Sequence, residues 1–275
     1  MLRSMYSGIS GMKNFQTKLD VIGNNIANVN TYGFKKGRVV FKDLINQDLT
    51  GASAPNAGIR GGVNPKQVGL GSQLATIDTL HTTGSMQTTG RVLDMAISGD
   101  GYFVVGDTAG NESYTRAGNF YLDSTGDLVT GDGLYVLGDT QGATPTAGAA
   151  FPAIINIPTT ATDMSISKNG TITFMDGGIL RTAGQIQLAK FANTGGLQKT
   201  GSNLFQDTIN SGPPVPGFGT TAGFGDVESS TLEMSNVDLS EEFTEMIVAQ
   251  RAFQSNTRII TTSDEILQEL VNLKR

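Results

Sequence analysis

The stretch LDVIGNNIANVNTYGFKKG, residues 19–37, combines a helical pattern with residues that disfavour a helix. Its apolar side chains recur at helical spacing at Leu19, Ile22, Ile26 and Val29. The same turns contain Gly23, Asn24, Asn25, Asn28 and Asn30. Asparagine and glycine are poor helix formers because their backbones have good alternatives to the helix. A helix built this way needs support beyond its own local propensity.

The apolar spacing extends through both ends of the chain. Residues 2–29 place apolar side chains at alternating steps of three and four, and residues 243–271 do the same. A period near 3.5 is typical of a coiled-coil seam. The second segment begins with a helix start signal, in which Asp238 or Ser240 caps an acidic first turn. The pattern predicts terminal helices of roughly 40 and 50 Å.

The middle of the chain changes to a period of two. Stretches such as MAISGDGYFVVGD and MSISKNGTITFMDGG alternate apolar and polar residues and are separated by Asp-Gly, Asn-Gly and Gly-Gly pairs. This pattern predicts short antiparallel strands joined by tight turns. Two segments rich in Gly, Pro, Ser and Thr, residues 50–73 and 210–225, are predicted to be extended connections.

The sequence therefore predicts an α+β fold in which the long N- and C-terminal helices form a coiled-coil inner domain and the centre is an antiparallel all-β domain. The predicted boundaries are residues 1–30 plus 238–275 for the inner domain, 31–74 for a linker region, 75–226 for the outer β-domain and 227–237 for a return connection.

The composition argues against several classes of function. The net charge is −6 and there is no long basic run, so we expect no nucleic-acid partner. No apolar run is long enough to insert into a membrane. There is no cysteine, which excludes disulfides, thiolate metal sites and a cysteine nucleophile. The first residues lack the continuous apolar core of a cleaved secretory signal.

The residues with catalytic potential are isolated along the sequence. His81 is the only histidine, and we interpret it as a surface histidine in a strand or loop. The Asp-Gly pairs fit hairpin turns better than a calcium loop. The basic group Lys35, Lys36, Arg38 and Lys42 fits a solvated or partner-facing loop better than a site for nucleic acid or anionic lipid. We expect no enzyme activity, no metal and no cofactor.

Uncharged polar residues flank the predicted seams. They are Asn14, Gln16, Asn24, Asn25, Asn28, Gln250, Gln254, Ser255, Asn256 and Thr257. A helix exposed to water usually carries a charged outer face, whereas a buried amide is tolerated when it is hydrogen-bonded. We therefore expect the helices to pack against further copies of the chain and to gain order on assembly; the alternative is an ordinary two-helix subdomain.

The motifs resemble the axial proteins of the bacterial flagellum, the family of rod and hook subunits. The resemblance lies in LDVIGNNIANVNTYGFKKG, in SNVDLSEEFTEMIVAQRAFQSN with the ending ITTSDEILQELVNLKR, and in GDGYFVV and YTRAGNFYLDSTGDLVTGDG. Within this family TYGFK, MIVAQRAFQSN and LVNLKR are most similar to the hook subunit. The distal rod subunit is the alternative, since the chain is short for a hook subunit.

The resemblance implies a hollow helical polymer that transmits torque, in the hook as a universal joint. It implies export through the flagellar secretion machinery without a cleaved signal and a location in the hook or basal body. The implied partners are other copies of the chain, neighbouring rod and hook–filament junction proteins, the hook cap and the export apparatus.

The resemblance also assigns residues to contacts between subunits. The coiled-coil seam would contain Leu19, Ile22, Ile26, Met246, Ile247, Phe253, Ile260, Leu267 and Leu270. Polar pairs between subunits would use Asn24, Asn25, Asn28, Gln250, Gln254 and Asn256. Tyr32, Gly33 and Phe34 would turn the chain out of the inner domain.

Two functions from other classes compete with this interpretation. One is a surface-displayed ligand-binding β-domain on a helical stalk, and the other is a membrane-surface protein with amphipathic termini. The absence of tryptophan argues against the first, and the low basic charge of residues 2–29 argues against the second.

Overall fold

The predicted α+β fold is confirmed by the structure, a computed structural model that describes residues 2–55, 61–107, 110–140, 153–221 and 223–273. Two long helices, α1 (Leu2–Ala27) and α2 (Leu239–Asn272), lie near the ends of the chain. All the strand pairs between them are antiparallel in the described ranges. The chain divides into unit 1 (residues 1–27, 37–79 and 238–275) and unit 2 (residues 28–36 and 80–237).

Unit 1 contains both helices and two β-ribbons. Its strands are β1 (Gly37–Asp43), β2 (Asn46–Thr50), β3 (Lys66–Gly69) and β4 (Ser72–Thr79). β1 pairs with β4, and β2 pairs with β3. The segment predicted as a linker, residues 31–74, therefore contains β1, β2, β3 and the start of β4, and the stretch 50–73 adds a bridge between Ser53 and Val63. Within the stretch 50–73, Lys66–Gly69 form strand β3 of a solvent-exposed ribbon.

The two helices pack antiparallel. Lys18, late in α1, pairs with Glu245 near the start of α2, whereas Gly8, early in α1, lies beside Asn256 further along α2. A Cβ atom on Gly8 would lie 3.5 Å from the Asn256 carbonyl oxygen, and one on Gly11 would lie 2.9 Å from Asn256 Nδ2. These glycines weaken the helix locally but allow α2 to approach closely.

Unit 2 contains the following strands: β5 (Met86–Thr88), β6 (Met95–Ser98), β7 (Tyr102–Gly106), β8 (Glu112–Thr115), β9 (Tyr121–Leu122), β10 (Leu128–Val129), β11 (Tyr135–Asp139), β12 (Ala153–Ile154), β13 (Thr162–Ile166), β14 (Thr171–Asp176), β15 (Ile179–Ile186), β16 (Leu188–Lys190), β17 (Gln198–Gly201), β18 (Leu204–Gln206), β19 (Val215–Gly217), β20 (Asp226–Ser229) and β21 (Thr231–Glu233). The main sheet has the order β13-β14-β15-β11-β7-β8-β18-β17. The ribbons β20–β6 and β21–β5 complete the unit.

Strand β7 shows how unit 2 forms two cores. Its residues are buried on both faces, and side chains alternate along a strand. Phe103 and Val105 enter a core with Ile97. Tyr102 and Val104 enter a second core on the opposite face.

The turn prediction is confirmed at the β14–β15 hairpin, where Gly177 and Gly178 both have positive φ, as a type I′ turn requires. The predicted connections after residue 210 are partly strands. β19 lies within the stretch 210–225, β20 begins one residue before the predicted return connection and extends into it, and β21 lies within it. No helix in the described ranges is long and apolar enough to cross a membrane.

Candidate subunit interface and a buried ion cluster of unit 2

The start of α2 is fixed by the predicted cap. The Asp238 carboxylate accepts hydrogen bonds from the backbone N–H groups of Ser240 (2.8 Å) and Glu241 (3.4 Å). Glu241 and Glu242 occupy the first turn, where the helix dipole favours negative charge. The cap replaces hydrogen bonds that a helix end otherwise lacks, so α2 begins at a defined residue.

Asn25 explains part of the unusual composition of α1. Its side chain is buried, and its amide nitrogen donates to the Gly37 carbonyl oxygen (2.9 Å) and to Glu242 Oε2 (3.2 Å). Its amide oxygen accepts from the Gly37 N–H (3.0 Å). Asn25 thus joins α1, β1 and α2 within one chain, which the sequence analysis did not predict because it assigned this amide to a contact between subunits.

The helices leave most of their apolar side chains outside any core. Among the described apolar residues of α1 and α2, only Ile22 and Ala249 are fully buried. Large apolar side chains of the helices with more than a third of their surface exposed are Tyr6, Ile9, Leu239, Phe243, Ile247, Val248, Ile259, Ile266, Leu270 and Val271. Covering a large apolar side chain is worth about 1.5–3 kcal/mol. This surface, the helix apolar face, is the strongest candidate for a contact with other molecules.

The residues predicted for subunit contacts fall into three groups. Ile22, Asn25, Gly33 and Phe34 are buried. Leu19, Ile26, Asn28, Met246, Phe253, Asn256, Ile260 and Leu267 are half-buried. Asn24, Tyr32, Ile247, Gln250, Gln254 and Leu270 are exposed. The structure brings Ile260 and Asn256 against Gly8 within the chain, whereas contacts between subunits remain a prediction for the set.

Gly33 lies in unit 2 at a position that only glycine tolerates. Its φ is +69°, and a Cβ atom there would lie 2.5 Å from the Ala117 backbone nitrogen. Its N–H donates to the Glu233 carbonyl oxygen (2.8 Å). The next residue, Phe34, is buried beneath the Lys199 ammonium, which lies 4.9 Å from the ring centroid. The predicted turn residues are thus anchored in unit 2.

A buried ion cluster follows directly. Lys35 Nζ donates to Glu233 Oε1 (2.5 Å) and to the Thr82 carbonyl oxygen (2.6 Å). Arg116 Nη1 donates to Glu233 Oε2 (3.4 Å), and the Gly84 N–H donates to Glu233 Oε1 (2.9 Å). The side chains of Lys35 and Glu233 are fully buried. Burial lowers the pKa of Lys35, while the charge of Glu233 opposes this effect.

The prediction of a solvated or partner-facing loop was therefore wrong for Lys35. Its counterion Glu233 lies 198 residues later in the sequence, and no local pattern links the two positions. Arg38 and Lys42 are exposed, as a solvated position requires, but they lie in strand β1 rather than in a loop. A buried lysine is rare unless it is paired, so the pairing is the signal that the sequence lacked.

Asn236 forms a second layer beside the ion cluster. Its amide oxygen accepts from the Lys36 N–H (2.8 Å). Its amide nitrogen donates to the Leu80 carbonyl oxygen (2.8 Å) and to Thr82 Oγ1 (2.9 Å). The Leu80 N–H in turn donates to the Lys36 carbonyl oxygen (2.9 Å). One side chain thus joins three separate segments of the backbone.

His81 lies in a loop, half-buried rather than at the surface. Its Nδ1 is 2.7 Å from the Tyr102 hydroxyl oxygen. Burial, with the nearby cations Lys35, Lys199 and Arg116, lowers the pKa of His81 to about 4, so the ring is neutral near pH 7. Among the described residues, no group of three or more His, Cys, Asp or Glu could hold a metal ion. The arrangement serves packing and hydrogen bonding.

Three family models match successive parts of the chain. The flagellar hook protein FlgE/F/G D1 domain matches residues 96–174. The flagellar basal body rod FlgEFG protein C-terminal domain matches residues 228–273, and the flagella basal body rod protein model matches residues 5–35. The matches therefore include most of both helices and part of the main sheet.

Whole-chain comparisons give the same picture. The chain is 60% identical to the flagellar basal-body rod protein FlgG of Bacillus subtilis, with all of both chains covered. It is 40% identical to the FlgG of Agrobacterium fabrum, over 96% of this chain and 97% of that one. Identity to the flagellar hook protein FlgE of Borreliella burgdorferi is 33% with full coverage of both, over an alignment of 443 positions.

Proposed function

Because the chain belongs to the family of flagellar axial proteins that build the rod and the hook, and is therefore a structural subunit of the flagellum, we propose that it is a subunit of the distal rod. Identity to a FlgG rod protein is 60%, against 33% to a hook protein. The hook alignment extends over 443 positions, whereas this chain has 275 residues. Both comparisons favour the rod, the alternative in the sequence analysis, over the hook.

The helix apolar face carries the proposal that the subunit polymerises through its termini. α1 and α2 leave many large apolar side chains exposed, and a two-helix pair of this kind is marginal alone. Copies that cover Phe243, Ile247 and Leu270 would remove this surface from water. Several such side chains together exceed the entropic cost of association.

The β2–β3 ribbon supports assembly independently. All of its strand residues are exposed, among them Leu49 and Val68. An isolated two-stranded ribbon is marginally stable in water. Neighbouring subunits in a tube would cover it, and it would then add contacts outside the helical layer.

Export without a cleaved signal belongs to the same proposal. The first turns of α1 belong to the helix that we assign to assembly. We expect the assembled subunit to retain these turns. Intact-mass measurement of subunits from purified basal bodies tests this, and a shortened N-terminus would contradict it.

The central experiment compares two isoleucines that are exposed to a similar degree. Ile247→Asp places a charge on the helix apolar face, whereas Ile179→Asp places it on an exposed isoleucine of unit 2. We expect wild type and Ile179→Asp to form tubes, and Ile247→Asp to stay monomeric with an unchanged thermal transition of unit 2. Sedimentation and electron microscopy read the result.

The form of the tube separates rod from hook. Straight tubes support the distal rod, and supercoiled tubes overturn that assignment in favour of the hook. Tubes formed equally well by Ile247→Asp would overturn the assembly surface instead.

A further inference from the structure

We propose that Glu233, with Lys35, Arg116 and Asn236, forms a clamp that fastens to the core of unit 2 all the segments by which the chain passes between the two units. The inference rests on the proposed function, in which each subunit transmits torque. It assigns to these residues the task of keeping the connections together under force. The four residues are called the junction clamp below.

The course of the chain defines the problem. The chain passes between the units after residues 27, 36, 79 and 237. Three segments of unit 2 adjoin these passages, namely residues 28–36, 80–84 and 233–237. Force on unit 1 reaches unit 2 covalently through these segments alone, and a segment pulled separately would detach from the unit one hydrogen bond at a time.

The junction clamp contacts every one of these segments. Glu233 in the third segment bonds to Lys35 in the first and to the Gly84 N–H in the second. Asn236 repeats the connection one layer away, through Lys36 and Leu80. No segment can move away without breaking bonds to both of the others, so the three resist force together.

Arg116 connects the clamp to the sheet. It follows strand β8, and its side chain is 3% exposed. Its guanidinium donates to Glu233 and, at 3.5 Å, to the Ile97 carbonyl oxygen of β6. Its Cζ atom lies 5.1 Å from the centroid of the Tyr102 ring in β7. Force on Glu233 therefore reaches three strands of the unit.

The choice of charged residues supports a geometric role. Buried ion pairs often contribute no more stability than an apolar cluster of the same size, because desolvation opposes their attraction. Buried ion pairs do require hydrogen bonds of defined direction and length, and each hydrogen bond of the junction clamp joins one particular donor to one particular acceptor. Such a network fixes the relative positions of backbone segments more narrowly than apolar contact does.

The test begins with hydrogen exchange in the monomer. Glu233→Gln retains the size of the side chain but removes the charge, and Glu228→Gln in the neighbouring strand β20 is the matched control. We expect exchange at the Gly33, Lys36, Leu80 and Gly84 amides to become about ten- to a hundredfold faster in Glu233→Gln. Amides of β7 should keep their wild-type rates in both variants.

The force experiment uses the absence of native cysteine in the chain. Handles attached at Ile179→Cys and Leu273→Cys, both exposed positions, load the connection in an optical trap. We expect Glu233→Gln to rupture at lower force than wild type and Glu228→Gln to match wild type. Equal rupture forces in Glu233→Gln and wild type would overturn the role under force. A uniform rise in exchange rate that includes the β7 amides would show that the cluster only stabilises unit 2 as a whole, which would overturn the clamp.

A second variant keeps the test decisive if Glu233→Gln fails to fold. Asn236→Ala removes only the second layer, and it should raise exchange at Lys36 and Leu80 more than at Gly84. Exchange equal to wild type at all these amides would overturn the clamp. Both readouts use the monomer, so their outcome is independent of whether wild-type protein forms straight tubes, which tests the proposed function.

Discussion

Unit 2 and the helices of unit 1 differ in how far they bury their apolar residues. In unit 2, strand β7 supplies two cores at once and its side chains are buried on both faces. In the helices, Ile22 and Ala249 are the fully buried apolar residues among those described. The comparison shows that one unit completes its own core whereas the helices of the other leave apolar surface exposed, which we propose is covered by further molecules. A polymer subunit needs both a unit with a complete core and a surface that other subunits cover.

The largest expected effect contrasts the two regions directly. Phe103 is fully buried, with its ring centroid 5.2 Å from that of Phe120. Phe103→Ala should cost about 3–5 kcal/mol of unfolding free energy, because it leaves a cavity. Ile247→Ala, at a half-exposed position, should change the stability of the monomer by about 0.5 kcal/mol or less. Urea unfolding of both monomers measures this.

For tube formation, we expect the order of the two effects to be reversed. Ile247→Ala should weaken tube formation, because it removes apolar surface that assembly covers, while Phe103→Ala affects tubes only through folding. A large loss of monomer stability in Ile247→Ala would show that the helix apolar face is already covered within one chain, which would remove the contrast between the units.

The local elements were predictable because their signals are short-range. Spacing at three and four residues predicted α1 and α2, and the Asp238 cap was among the two candidates. Alternation and Gly-Gly pairs predicted strands and hairpins such as β14–β15. These patterns depend on neighbours within a few residues, which a sequence shows directly.

The candidate sites were less predictable because they depend on distant partners. Lys35 and Glu233 each have an ordinary charged side chain, and only the fold brings them together. Asn25 was assigned to another subunit, although Gly37 and Glu242 satisfy it within the chain. The ribbon β2–β3 was missed because the sequence between its two strands is rich in glycine, which is typical of a connection.

An effect of intermediate size is the loss of stability of unit 2 at acidic pH through His81. Above pH 6.5, His81 is neutral in both the folded and the unfolded chain. Between about pH 6.5 and pH 4 the unfolded chain takes up a proton that the folded chain does not, since the pKa of His81 is lowered to about 4 on folding. Unfolding is therefore favoured as the pH falls through this range, by about 1–3 kcal/mol in total.

His81→Gln isolates this contribution, because the chain has no other histidine. We expect unit 2 of the wild type to lose more stability than the variant between pH 6.5 and pH 4. The helices of unit 1 contain no histidine and should show no such difference. Parallel loss in wild type and variant would mean that the ring titrates normally in the folded chain.

The smallest expected effect compares two glycines of α1. A Cβ atom on Gly23 would have no neighbour within 4 Å, whereas one on Gly11 would lie 2.9 Å from Asn256 Nδ2. Gly23→Ala should therefore stabilise the helix by about 0.5–1 kcal/mol, the usual difference in propensity. Gly11→Ala should gain less, because Asn256 must move to make room. Thermal unfolding followed at 222 nm compares the two monomers, and an equal gain at both positions would show that α1 and α2 are not closely packed there. In that case the close approach of α1 and α2 at Gly11 would require neighbouring copies of the chain. The helices of unit 1 would then differ even more from unit 2, which forms its core within one chain.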